Sequence, residues 1–117
     1  ALSQDVTRGA LEVMGQPYSL LLNRSVDFDP FFNVLGLQFP DARAQQHFLG
    51  LVQMTWDRVE PNGYSKYLFT DPFEGSPADR RVLMRAAIGD HQVSTFGAHI
   101  MARAVGAQHL DTGLREV

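Results

Sequence analysis

The 117 residues combine 44% hydrophobic with 20% charged side chains, 10 Gly and 6 Pro, a balance that excludes a disordered tail, a collagen-like repeat and a charge-dominated linker. A formal net charge of −3, with nine Arg and Lys66 scattered along the chain, leaves no electrostatic footprint for nucleic acid. The absence of cysteine removes disulfides, thiolate metal sites and cysteine nucleophiles without naming a compartment, and no apolar run approaches the about 18 residues of a membrane span.

A soluble single α/β domain is therefore expected over residues 1–117, burying roughly 60–70% of its unfolded surface. The first residue, Ala1 in place of Met, leads us to expect a processed or truncated chain. Val6–Met14 (VTRGALEVM) reads as a strand that ends at the turn signal Gly15-Gln16-Pro17. Tyr18–Leu22 is either a helical turn or a short strand, since five apolar residues show no period.

Asp29-Pro30 is a helix start, with Asp as N-cap and Pro at the first helical position, and predicts a short helix through Leu35 that ends near Gly36. Pro40-Asp41 repeats the signal. Ala44, Phe48, Leu51, Val52, Thr55 and Val59 then recur at helical spacing, predicting an amphipathic helix of about five turns despite Gly50. Pro61-Asn62-Gly63 breaks it, and Tyr64–Asp79, with Pro72, Gly75 and Pro77, predicts an irregular surface connection. Arg80 and Arg81 are expected in a solvated loop ahead of a strand.

Val82–Ile88 (VLMRAAI) has the near-continuous apolar pattern of a parallel strand covered on both faces. After Gly89-Asp90-His91-Gln92-Val93, a helix from Ser94 is predicted with Phe96, Ile100, Met101, Ala104 and Val105 on one face and a stop at Gly106. Residues 82–105 thus form a strand, turn and helix unit, with packing of the helix back on the strand expected. Ala107–Leu110 is a candidate start of a further strand.

In an open parallel sheet, ligands bind outside the carboxyl ends of the strands, which places interest on the turn holding Asp90. Strand, then Gly89-Asp90-His91-Gln92-Val93, then helix resembles the α/β-hydrolase segment that presents the triad acid as Asp-x-x-Val, with Ala87 where that segment often has glycine. LLLNRSVDFDPFF, QMTWDRVEPNGY and AAIGDHQVSTFGAHIMARAVG are likewise similar to bacterial hydrolase-like proteins. The resemblance implies a partial parallel sheet with packed helices, as in the C-terminal part of that fold, and a helical cap-like insertion over 27–60. It implies that Asp90 orients a histidine and balances its charge during acyl transfer. The other reading of Asp90 is a cap for the following helix, and the two roles are compatible.

The family's Gly-x-Ser-x-Gly elbow occurs nowhere in the 117 residues, so the nucleophile and the triad histidine are expected outside them, and the chain alone is expected to be inactive. His109 is read as structural. His47, His91 and His99 show no metal-ligand spacing, and neither a metal nor a cofactor is expected. Phe31, Phe32 and Trp56 are candidate substrate-binding residues for an apolar ester, although helical spacing makes them core residues first. Two further readings stand beside the hydrolase: a non-catalytic module assembling as a homo-oligomer or with a complementary chain, and a small domain that binds an apolar ligand.

Overall fold

The computed structural model describes residues 1–110 and has a mixed α/β arrangement. In chain order it comprises β1 (Arg8–Glu12), α1 (Tyr18–Leu21), α2 (Asp29–Gln38), α3 (Ala42–Trp56), β2 (Arg81–Arg85) and α4 (Thr95–Ala104), with short 3₁₀ turns at Val26–Phe28, Pro61–Gly63 and Ser65–Leu68. The candidate strand at Ala107–Leu110 is exposed and carries no regular structure, and the rest of that tail lies outside the described residues.

β1 and β2 pair in parallel, with Arg8 opposite Arg81 and Glu12 opposite Arg85. Parallel neighbours require a long crossover, and here it contains α1, α2, α3 and all three 3₁₀ turns. Gly9, Leu11, Val82 and Met84 lie on the half-buried face of the pair; Arg8, Ala10, Glu12, Arg81, Leu83 and Arg85 lie on the exposed one. The strand expected over Val82–Ile88 with both faces covered is therefore shorter and one-sided: Leu83 is 46% exposed and Ile88 85%. Two arginines flank its apolar residues at strand period, which makes one face polar. Arg85 and Glu12 form an ion pair on that face at 2.5 Å, an exposed contact contributing about 0–1 kcal/mol.

The short run after Pro17 resolves as helix α1, whose amides are capped from far along the chain. Tyr18 N–H donates to Glu60 Oε1 and Ser19 N–H to Gln53 Oε1, each at 2.9 Å. Helix starts leave such donors orphaned, and buried ones must find acceptors. The Asp29-Pro30 signal does begin a helix, but Asp29 is its first residue and not its cap; Ser25 upstream caps the Val26–Phe28 turn, and α2 runs through Gly36 to Gln38. Asp41 caps α3 as expected, accepting from the N–H groups of Arg43 and Ala44 at 2.8 and 3.0 Å.

α3 covers 15 residues, about four turns where five were expected. Its inner face is also rotated. Leu49 is the buried residue at 1% exposure, with Gln45, Val52, Gln53 and Trp56 partly covered, whereas Leu51 of the expected stripe is 67% exposed and Val59, past the helix end, is 75% exposed. The glutamines turn inward because they serve backbone groups: Gln53 caps α1, and Gln45 Nε2 donates to Phe39 O at 2.7 Å.

α4 is capped by Ser94, whose Oγ accepts from Gly97 N–H, and it buries Gly97, Ala98 and Met101, followed by Val105 at its end. Phe96 and Ala104, expected on the inner face, are exposed. Gly97 decides this rotation: a Cβ there would lie 3.2 Å from Leu21 Cδ2 and 3.4 Å from the Gln16 backbone, so the helix approaches the loop after β1 on its glycine side. Arg80, expected in solvent, is 9% exposed, while Arg81 is exposed as anticipated.

Candidate functional site

The turn beyond β2 is held by its own short-range hydrogen bonds. Gly89 adopts φ +76°, a conformation open to glycine without a Cβ penalty, and aims the chain into Asp90. Asp90 Oδ1 accepts from Gln92 N–H at 2.8 Å and Val93 N–H at 2.7 Å. These two amides hold the Asp90 carboxyl below the ordinary aspartate range, and the neighbouring His91 adds a smaller effect in the same direction. Asp90 Oδ2 accepts no hydrogen bond among the described residues. The carboxylate is thus fixed by one oxygen and open at the other, an arrangement able to receive a further N–H donor.

The helical insertion is docked onto this turn. Val26 N–H donates to His91 O at 3.0 Å, and Gln92 Nε2 donates to both Asp27 carboxylate oxygens at 3.2 and 3.0 Å. Thr95 Oγ donates to Ala87 O at 3.1 Å, tying the start of α4 back to the chain leaving β2. Arg24, just ahead of the insertion, lies 5.7 Å over the Phe96 ring and adds a contact to α4. Phe28, immediately after Asp27 and Val26, leads from this turn into an apolar cleft.

That cleft lies between α2 and α3 and has a volume of about 470 Å³. Phe28, Phe31, Phe39, Phe48 and Trp56 contribute aromatic walls, and Gln38 is its polar residue. Phe39 and Phe48 stack with centroids 4.9 Å apart, and Trp56 meets Tyr18 edge-on at 6.0 Å. Of the three candidate substrate-binding residues, Phe31 and Trp56 line the cleft; Phe32, on the same helix as Phe31, does not.

The remaining candidates stay apart. His47 and His99 are exposed on α3 and α4, His109 is exposed beyond α4, and only His91 neighbours Asp90. Among the described residues no group of three His, Cys, Asp or Glu gathers as metal ligands would, and no helix is long and apolar enough to cross a membrane.

Sequence reading missed a buried polar network: Gln16, Glu60 and Ser65 are 1, 2 and 5% exposed. Ser65 Oγ donates to Gln16 Oε1 at 2.5 Å and to Pro61 O at 2.8 Å; Gln53 Nε2 donates to Glu60 Oε1 and to Asp57 Oδ1. Asn62 Nδ2 also donates to Asp57 Oδ1, at 2.7 Å. The one local cue was Gly63, where a Cβ would sit 1.7 Å from Asp57 O, so the turn carrying this network closes only on glycine. No family model matches the chain, and neither the curated proteins nor the solved structures include a match.

Proposed function

We propose that this chain is the acid-bearing and cap-bearing part of an α/β-hydrolase-type serine hydrolase acting on esters with an apolar acyl group. Asp90 orients the catalytic histidine and balances its charge, and the α2–α3 cleft receives the acyl group with Phe31 and Trp56 on its walls. The observation that carries this reading is Asp90 itself: it stands beyond the carboxyl end of a parallel strand, with Oδ1 fixed by two amides and Oδ2 open. The order strand, helical insertion, parallel strand, acid turn and helix supports it. A Gly-x-Ser-x-Gly nucleophile would come from sequence other than these residues.

The deciding experiment uses the natural polypeptide that contains these residues, assayed on p-nitrophenyl acetate and decanoate. Asp90→Asn keeps an oxygen for the Gln92 and Val93 amides and removes the charge, so kcat is expected to fall by about 10⁴-fold with secondary structure retained. A kcat within about threefold of the parent would leave Asp90 as a turn cap alone and overturn the reading. The 117 residues by themselves are expected to give no turnover. Because the folded Asp90 carboxyl titrates below its unfolded value, its contribution to stability is complete above about pH 4 and is lost as pH falls through the lowered folded value. Acid unfolding of Asp90→Asn should lack that component.

A second reading, assembly with a second copy or a complementary chain, is favoured by the outward apolar side chains of α2 and α3. Leu37, Met54 and Leu51 are 79, 70 and 67% exposed.

A further inference from the structure

A second cavity, of about 350 Å³, lies on the half-buried side of the sheet, away from the Asp90 turn. Gly9, Leu11 and Val82 form its sheet wall, Met101 of α4 and Val105 just past its end face them, and Leu68 adds a third apolar side. Arg80, which precedes the amino end of β2, also lines it. Asp90 lies beyond the opposite end of a strand that spans about 16 Å, so the two sites are separate.

Arg80 is 9% exposed and takes part in no ion pair among the described residues. Its guanidinium donates to three backbone carbonyls: Nε to Val6 at 3.2 Å, Nη1 to Ala1 at 3.3 Å and Nη2 to Ser3 at 2.5 Å. These neutral acceptors satisfy three of its five N–H groups, and no described residue supplies its charge with a counter-ion. Burying an unpaired cation is costly, whereas a buried guanidinium with a carboxylate is the arrangement that geometry favours. The other arginine lining the cavity, Arg8, already pairs with Asp79 at 3.2 Å.

We infer that this cavity binds a single-chain amphiphile with a carboxylate head, the head meeting Arg80 and the chain lying between the sheet and α4. At about 30 Å³ per methylene, taken as the volume share of a water molecule, the cavity admits on the order of ten carbons. Charge complementarity selects the head group and the apolar walls select the tail.

The test compares decanoate with 1-decanol, both below micellar concentration, by calorimetry and thermal unfolding of the 117-residue chain. Decanoate should bind on the order of ten- to a hundredfold more tightly than decanol, as expected for hydrogen bonds to a charged partner. Arg80→Met should reduce decanoate to the affinity of decanol, with Arg80→Lys intermediate. Gly9→Leu blocks the chain without touching Arg80. The nearest atom to a Cβ at Gly9 is Val82 Cγ2 at 4.0 Å, so this variant should fold, unfold at higher temperature and bind neither ligand.

Equal affinity for the two ligands, or no binding of either, would overturn the inference. So would decanoate binding that survives Gly9→Leu and disappears in Phe31→Ala, which would place the ligand in the α2–α3 cleft. Should Arg80→Met fail to fold, the head-group comparison in the unaltered chain and the Gly9→Leu result still decide the matter.

Discussion

The helical insertion and the β2–turn–α4 segment bury their side chains by opposite means. In the insertion, Leu35 and Leu49 are buried while Phe31, Val34, Leu37, Leu51 and Met54 stand 60–79% exposed, and the inward positions of α3 include Gln45 and Gln53. In the β2–turn–α4 segment the buried positions are Gly97, Ala98, Met101 and Val105, and the groups that cap its turn and helix bond close by in sequence, Asp90 to Gln92 and Val93, Ser94 to Gly97, while Gln92 and Arg85 reach out to Asp27 and Glu12. The contrast shows that hydrophobic period locates a helix more securely than it locates the side of the helix that meets a neighbour. Where buried amides must be capped from another element, polar residues take the inner face and displace apolar ones outward.

The largest effect expected from breaking this contrast is at Leu49, the most buried apolar side chain of the insertion. Leu49→Ala removes its contacts and opens a cavity, and should cost about 2–5 kcal/mol in urea unfolding. Leu51→Ala, two residues along the same helix and 67% exposed, should stay within about 0.5 kcal/mol. A larger effect at Leu51 than at Leu49 would mean that the inner face is the one that sequence period suggested.

A smaller effect should separate the roles of Glu60. Glu60→Ala removes the acceptor of the Tyr18 amide and leaves a buried donor unsatisfied, at about 1–3 kcal/mol. Glu60→Gln retains an amide oxygen at that position and removes a carboxylate whose Oε2 is buried without a partner, so it should be neutral or stabilising. Destabilisation by Gln as large as by Ala would show that the charge itself is required.

The smallest effect on stability, and the most direct probe of assembly, is the pair Leu51→Asp and Met54→Asp. Both residues are exposed, and unfolding free energies should change by no more than about 0.5 kcal/mol. If the outer face of α3 mediates association, both variants should shift sedimentation at micromolar concentration towards monomer. A compact monomer in the parent chain would remove the assembly reading and leave the face as an unpartnered surface.

Elements governed by local chemistry were legible in the sequence. Asp41 and Ser94 cap helices through amides two or three residues away, and Gly89 and Asp90 build their turn within five residues, whereas α3 stops at Trp56, ahead of the expected break at Pro61-Asn62-Gly63. Long-range geometry was not legible. The inward turn of Gln53 depends on the amides of α1, which lie 34 positions earlier, and the burial of Arg80 depends on carbonyls more than seventy positions away. The one-sidedness of β2 depends on having β1 as its neighbour in a two-stranded parallel pair. The convergence of Phe31 and Trp56 without Phe32 depends on how α2 leans on α3. Sequence by itself determined where α3 and α4 begin and where the Gly89–Asp90 turn falls, because those caps and that turn are decided by neighbours along the chain. Only the tertiary structure decided which faces meet, because the partners that satisfy buried polar groups are brought together by the fold.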